Sequence, residues 1–166
     1  EKAVYSDVDF FYLKSAIQNI FNKPINLAFD SYADTLGLSD TQFHVNNVPK
    51  YKVLDYAPTE SCPWRKKTLQ GEVHDDNTWS LGGVSSHAGL FGSIEDLSVW
   101  ALELRKALRG QSKIWSQKTA KLFTKRAVPK ELGDWTLGFM MPSKESSSSG
   151  QYFSENSFGH TGFTGT

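Results

Sequence analysis

A chain of 166 residues with 39% hydrophobic and 13% aromatic content is long enough and apolar enough to bury a single-domain core. Eighteen Lys and Arg balance eighteen Asp and Glu, so the basic stripe that would make nucleic acid a partner is missing. No apolar run reaches the roughly 18–20 residues of a membrane span. The start lacks a basic-then-apolar signal, and the lone Cys62 excludes an intrachain disulfide. The chain begins without Met, mid-pattern, and reads as a segment of a longer protein.

Tyr5-Ser6-Asp7 stands at the head of the first periodic run. From Val8 to Phe21, the residues Phe10, Leu13, Ile17, Ile20 and Phe21 recur at helical spacing. Asn22-Lys23-Pro24 ends that helix, because Pro cannot continue it and biases the preceding residue away from the α region. A second helix is expected from about Leu27 to Leu36, with Gly37 as a left-handed cap and Leu38 folding back over the last turn. Periodicity then fades from Asp40 to about Trp79, where Pro49, Pro58 and Pro63 punctuate a long irregular stretch of the kind that often carries function.

Regularity returns at Ser93. Ser93-Ile94-Glu95-Asp96 resembles a capping box, with a hydroxyl for an orphan N–H and an acidic side chain three residues on. Leu97, Trp100, Ala101, Leu104 and Leu108 form an apolar stripe that reads as core, closed by Gly110. A further helix runs from about Ser116 to Thr124. Beyond Pro129, the segments 135–141 and 157–164 read as two strands joined by the polar Ser146–Ser149 run and Gly150. The fold class is α+β, predominantly helical.

His74, Asp75, Asp76, Asn77 and His87 lack the His-x-x-x-His spacing that places two imidazoles on one helix face. Hydrogen bonding around a cleft is therefore expected there, with no metal and no cofactor. Gly82, Gly83 and Gly89 permit tight turns, since no Gly-x-x-x-x-Gly-Lys pattern exists to cradle phosphate. Arg65-Lys66-Lys67 reads as a solvated face, with an anionic polymer as the alternative partner.

The ordered set Tyr5-Ser6-Asp7, residues 71–77 (GEVHDDN), 82–91 (GGVSSHAGLF) and 159–165 (GHTGFTG) resembles the serine β-lactamase-like family, which includes penicillin-binding proteins, class C β-lactamases and esterases. The likeness covers nearly the whole chain. It implies the helical lobe of the β-lactamase/transpeptidase-like fold over 1–128, with an irregular cleft loop over 40–92. Residues 129–166 would begin the antiparallel sheet as a C-terminal hairpin. By the same resemblance, Tyr5 relays the proton of a nucleophilic serine. Asp7 stands where the family usually has Asn, His160-Thr161-Gly162 stands for Lys-Thr-Gly and binds a substrate carboxylate, and the Phe163 N–H forms half of an oxyanion hole. Taken alone, Tyr5 reads as a helix-start aromatic, Asp7 as a partner of the helix dipole, and His160 as an ordinary strand histidine.

The family's Ser-x-x-Lys is absent, because no serine here has lysine three residues on. The expected account is that the nucleophile segment lies upstream and further strands lie downstream, which leaves this chain inert alone. The resemblance implies a serine hydrolase working through an acyl-enzyme on a small-molecule or peptide substrate: a β-lactam, a D-Ala peptide or a simple ester. It also implies a periplasmic or cell-envelope setting. The alternative is a non-catalytic module binding a wall peptide or a partner. A strand edge at 157–166 is expected to be disordered or to favour self-association.

Overall fold

The computed structural model describes residues 4–143 and 147–164. The expectations placed on Ser146, Gly165 and Thr166 lie outside those residues. Mixed helix and small antiparallel sheets make an α+β chain. It divides into two compact units, Tyr5–Trp100 and Glu1–Val4 with Ala101–Thr166, each described on its own terms. No helix among the described residues is long and apolar enough to cross a membrane.

In the first unit, α1 spans Asp7–Phe21. The hydroxyl oxygen of Ser6 accepts the Val8 N–H at 3.2 Å, and Asn22 closes the helix in the left-handed region (φ 49°). α2 follows at once over Ile25–Leu36, opened by Pro24. At its end Gly37 (φ 71°) and Leu38 return N–H groups to Asp34 and Ala33, and Leu38 is buried. This is the cap its sequence foreshadows.

The inward face of α1 is rotated from the expected stripe. Phe10, Phe11, Lys14, Ile17 and Gln18 are half-buried, whereas Leu13, Ile20 and Phe21 are exposed. Polar groups on the inward line cause the difference. The Lys14 Nζ donates to the Val84 carbonyl at 2.6 Å, and the Gln18 Oε1 accepts from the Ile25 N–H. Periodicity counts apolar residues only and so misses such anchors.

Strand structure sits where periodicity fades. β1 (Gln42–Phe43) pairs antiparallel with β4 (Leu90–Phe91). β2 (Pro58–Cys62) and β3 (Lys67–Gln70) form a hairpin with an irregularity between Pro58 and Glu60. Its turn places Lys66 at φ 53°. Pro58 fits at the first residue of a strand, where no ladder N–H is needed. These strands hold two to five residues, too few for an alternating pattern to register. The short α3 (Asp76–Ser80) lies between β3 and β4.

His44 lies at the centre of this unit. It is fully buried, stacked on Phe91 at 3.9 Å and edge-on to Tyr56. Its Nδ1–H donates to the Gly71 carbonyl at 2.8 Å, which leaves Nε2 to accept from the Tyr56 hydroxyl at 3.1 Å. Burial holds the imidazole below its ordinary pKa, opposed by the Gly71 bond. The folded state therefore disfavours the proton that the unfolded chain takes up near pH 6.5. This contribution to stability is present above that pH and is lost as pH falls toward the folded pKa. Urea unfolding of the wild type should weaken between pH 7 and pH 5.5, and a His44→Phe variant should show a flatter profile over that range.

Gly83 illustrates how tightly the loop before β4 is built. At φ +82°, an added Cβ would lie 2.4 Å from the His44 carbonyl oxygen. Gly83→Ala should lower stability by about 1–3 kcal/mol through combined backbone strain and clash. A drop in the thermal midpoint checks it, and an unchanged midpoint would show that the loop can move away.

α4 spans Ile94–Leu108 and α5 spans Gln117–Thr124. Ser93 caps α4, accepting the Asp96 N–H at 3.2 Å. The Asp96 carboxylate does not complete a reciprocal box. It accepts from the Asp40 N–H and the Thr41 hydroxyl, both at 2.8 Å. Burial acts against that charge, yet these donors hold the carboxyl below its usual range. The buried line of α4 runs through Asp96, Glu103 and Ala107, while Leu97 is exposed. Glu103 keeps its charge through the Ser112 hydroxyl and Lys106. Trp100, Leu104 and Leu108 of the expected stripe are half-buried, Leu97 and Ala101 are exposed, and two satisfied carboxylates share the inward side.

In the second unit, the segment expected as a strand over 135–141 folds into a turn. Thr136 N–H donates to the Phe139 carbonyl at 2.9 Å, and the Thr136 hydroxyl oxygen accepts the Gly138 and Phe139 N–H groups. Such local side-chain bonding competes with a ladder. What remains of sheet there is two isolated antiparallel bridges, Trp135 with Met140 and Met140 with Gly159.

Candidate active site

Tyr5 and Asp7 stand on the entry to α1, where the Ser6 cap fixes the first turn and Asp7 complements the helix dipole. The loop Val84–His87 lies against this helix. The Ser86 hydroxyl donates to the Phe10 carbonyl, and the Lys14 Nζ reaches Val84. The His87 ring sits beside Phe10 and Phe11, with centroids 6.3 and 5.4 Å away.

Spacing gives His87 no role beyond cleft hydrogen bonding, and the fold brings it to Asp7. Its side chain is only 3% exposed. The Nε2 lies 3.2 Å from the Asp75 Oδ1 and 3.9 Å from the Asp7 Oδ2, and the Nδ1 lies 3.0 Å from the Ser85 Oγ. A carboxylate only accepts, so Nε2–H donates to Asp75 and Nδ1 accepts the Ser85 hydroxyl proton. Asp75 is the N-cap of α3 and takes the Thr78 N–H at 2.7 Å. Burial would raise its pKa, but the Thr78 and His87 hydrogen bonds hold it below the usual value. The Asn77 amide donates to the Asp7 Oδ2 at 3.4 Å.

Asp7, Asp75 and His87 therefore present three ligand-type atoms within 4.8 Å of one another. Hydrogen bonding accounts for the grouping, since the His87 Nε2 proton is engaged by Asp75. Tyr5 is half exposed and packs on Phe10 with ring centroids 5.6 Å apart. Partial burial, then the charges of Asp7 and Asp75, hold its phenol above the ordinary tyrosine range. At neutral pH Tyr5 carries its proton.

The other expected site residues fall in the second unit. His160 is exposed. Its Nδ1–H donates to the Thr161 carbonyl at 2.8 Å, and its ring lies 6.0 Å from that of Trp135. The Thr161 hydroxyl points at the Met140 sulfur at 3.9 Å. Gly162 and Phe163 are exposed beyond the Gly159 bridge. A cavity of about 260 Å³ opens here, lined by Met140, Pro142, Ser149, Phe158, His160 and Thr161 among others. A larger one of about 460 Å³ in the same unit, lined by Lys121, Lys125, Arg126 and Lys130, includes none of these site residues.

The tripeptide at residues 63–65 overturns one expectation. The Arg65 side chain is 3% exposed and so does not belong to a solvated face, although Lys66 and Lys67 are exposed. Its guanidinium lies 4.8 Å from both the Trp64 and Trp79 rings and donates to the Val73 and His74 carbonyls. No signal in a Pro-Trp-Arg-Lys run distinguishes this from a surface turn, because the second tryptophan is fifteen positions away.

A family model described as Beta-lactamase matches residues 1–166, and the chain belongs to that family. It is 32% identical over 182 residues to an N-acetylmuramyl-L-alanine amidase of Bacillus subtilis, covering 99% of this chain and 40% of the relative. It is 35% identical over 186 residues to a putative D-alanyl-D-alanine carboxypeptidase of Salmonella gallinarum, covering 99% and 41%. The chain thus spans about two fifths of the length of these relatives. No solved structure matches it.

Proposed function

We propose that the full-length protein is a serine hydrolase of the cell envelope that cleaves amides through an acyl-enzyme. The observation that carries this reading is the Tyr5-Ser6-Asp7 turn, fixed at the capped start of α1 in a chain of the β-lactamase family. A serine of a Ser-x-x-Lys segment outside these 166 residues attacks the substrate carbonyl. Tyr5 moves the serine proton onward to the leaving group. Because Tyr5 is protonated at neutral pH, its turn as a base requires a cation beside the phenol, and the lysine of that segment supplies it.

The remaining roles follow the motif positions. Asp7 accepts from that lysine. The Phe163 N–H and the serine's own N–H hold the oxyanion. Thr161 hydrogen-bonds a substrate carboxylate, His160 adds charge when protonated, and Gly162 lets substrate backbone approach. Water then releases the acyl group. The matched amidase and carboxypeptidase both carry an alanine-bearing amide in their names, so an alanine-containing wall peptide is the preferred substrate class. In this reading the chain contributes the helical lobe over 1–128 and the start of the sheet over 129–166, and it is inert without its upstream segment.

Intact-mass spectrometry of the full-length protein with a fluorescent penicillin and a fluorophosphonate tests this. A covalent adduct on a serine upstream of Tyr5 supports the reading. No adduct from folded protein at several pH values overturns it in favour of a non-catalytic wall-peptide-binding module, which His160 for Lys and Asp7 for Asn both favour.

A further inference from the structure

We propose that the basic cavity beside α5 holds an acidic side chain of the peptide substrate, next to the amide that is cleaved, with Lys121 and Lys125 as its partners. The identity of the peptide rests on the hydrolase reading, whereas the anion site does not.

The charge around this cavity is out of proportion to the chain. Eighteen basic residues balance eighteen acidic ones over the whole sequence. Yet Lys121, Lys125, Arg126 and Lys130 line one space of about 460 Å³, with Glu155 as the acid facing them. Cations gathered round one opening repel each other, and a cleft lined by one sign of charge concentrates the opposite ion.

The four are not equivalent. Arg126 is occupied by the fold: its Nη2 lies 2.9 Å from the Asp134 Oδ1, and its Nη1 donates to the Gly133 carbonyl at 2.8 Å. Lys130 meets the Glu155 Oε2 at 3.1 Å, but the glutamate side chain is 83% exposed and the lysine 50%, so water screens the pair. Lys121 and Lys125 are exposed and have no carboxylate partner among the described residues. The α5 dipole favours cations at this end, since Lys121 lies in the last turn and Lys125 is the C-cap. It does not account for Lys130, which lies beyond the helix and lines the same space. The Asn156 side chain, also exposed, adds an amide donor to the lining.

Placement decides the ligand. Met141 lines this cavity and also the smaller one that holds His160 and Thr161. A single side chain thus borders both spaces. Along the chain, Glu155 and Asn156 of the one are followed at once by Ser157 and Phe158 of the other. In the hydrolase reading Thr161 takes the substrate carboxylate, so a side chain preceding the cleaved amide is the part that can turn into the neighbouring cavity. The compact ammonium of lysine suits a carboxylate there, charge against charge.

Two peptides that differ by one charge test this on the full-length protein: N-acetyl-Glu-D-Ala-D-Ala and N-acetyl-Gln-D-Ala-D-Ala. The wild type should show a KM for the glutamate peptide about 3–10-fold below that for the glutamine peptide, as one or two partly exposed ion pairs would give. In a double variant, Lys121→Gln with Lys125→Gln, that ratio should fall to near one. Lys118→Gln, exposed earlier on α5 and outside the cavity lining, should keep it. A ratio near one in the wild type overturns the proposal. An equal fall in Lys118→Gln overturns it too, because the field of the helix would then replace the cavity as the cause.

Binding still decides if neither peptide is cleaved. With the methionine methyls labelled in the full-length protein, the Met141 signal is assigned by its loss in Met141→Leu. It should move at lower concentrations of the glutamate peptide than of the glutamine peptide. Sodium phosphate that moves it as strongly as the glutamate peptide would make the cavity a general anion site and overturn the peptide assignment. Turnover without preference removes this proposal and leaves the hydrolase. A preference in binding without turnover removes the hydrolase and leaves the acidic-peptide site.

Discussion

Tyr5→Phe in the full-length protein is expected to slow acylation about 10²–10⁴-fold, the range for removing a positioned proton-transfer group. Its stability should shift by no more than about 0.5 kcal/mol, as for a surface substitution. The separation between the two effects follows from the structure. The side chain is half exposed and its ring contact with Phe10 survives in phenylalanine, so little packing is lost. The hydroxyl is all that is removed. Its pKa is held up by burial and by the charges of Asp7 and Asp75, so it enters the reaction as a phenol and needs a cation before it can take a proton. Stopped-flow acylation with an activated penicillin, alongside thermal unfolding, measures both. A variant acylated at the wild-type rate would remove Tyr5 from the proton path, whatever becomes of the serine.

The elements of this chain that were legible in its sequence share a local cause. α1, α2, α4 and α5 each announce themselves within a few residues: Ser6 and Ser93 as caps, Asn22 and Gly37 as left-handed stops, Ser116 accepting from Thr119. Their facing was less legible. Lys14, Asp96 and Glu103 occupy inward positions because each finds partners distant in sequence or on a neighbouring turn. A hydropathy pattern scores such residues as outward. The strands escaped for a related reason. β1 pairs with β4 across nearly fifty residues, and neither is long enough to alternate. At 135–141 the reverse error arose, because an aromatic-rich run looks extended until the Thr136 hydroxyl folds it into a turn.

The candidate site divides along the same line. Tyr5 and Asp7 stand out in the sequence only through the ordered motifs they share with the β-lactamase-like family, and the structure places both at the capped start of α1. The Asp75–His87 pair does not stand out, because two loop residues twelve positions apart carry no spacing rule. The His74–Asn77 stretch was read as hydrogen bonding around a cleft, and Asp75 and Asn77 do bond there. What no spacing disclosed is that both reach toward Asp7.

Arg65 carries the largest expected effect on stability. Arg65→Met should cost about 3–5 kcal/mol, the range for removing one member of a buried charged cluster. Of its two ion pairs, the one with Asp76, at 2.5 Å, contributes little, because the aspartate is 62% exposed and screened by water. Glu72, 3.8 Å away and 13% exposed, would lose a buried partner. The larger share comes from the Val73 and His74 carbonyls, which lose a charged donor. The two tryptophan faces also lose the cation between them, at about 0.5–2 kcal/mol each. One guanidinium nitrogen, Nε, is buried without an acceptor, which offsets part of the gain. Arg65→Lys tests the cause. A lysine keeps the charge but cannot serve two carbonyls and two ring faces with one planar fork, so most of the loss should persist. Urea unfolding of both variants decides the matter. A lysine variant as stable as wild type would make charge alone the cause. A loss of only about 1 kcal/mol in the methionine variant, the value of an exposed ion pair, would return Arg65 to the solvated face that its neighbours Lys66 and Lys67 occupy.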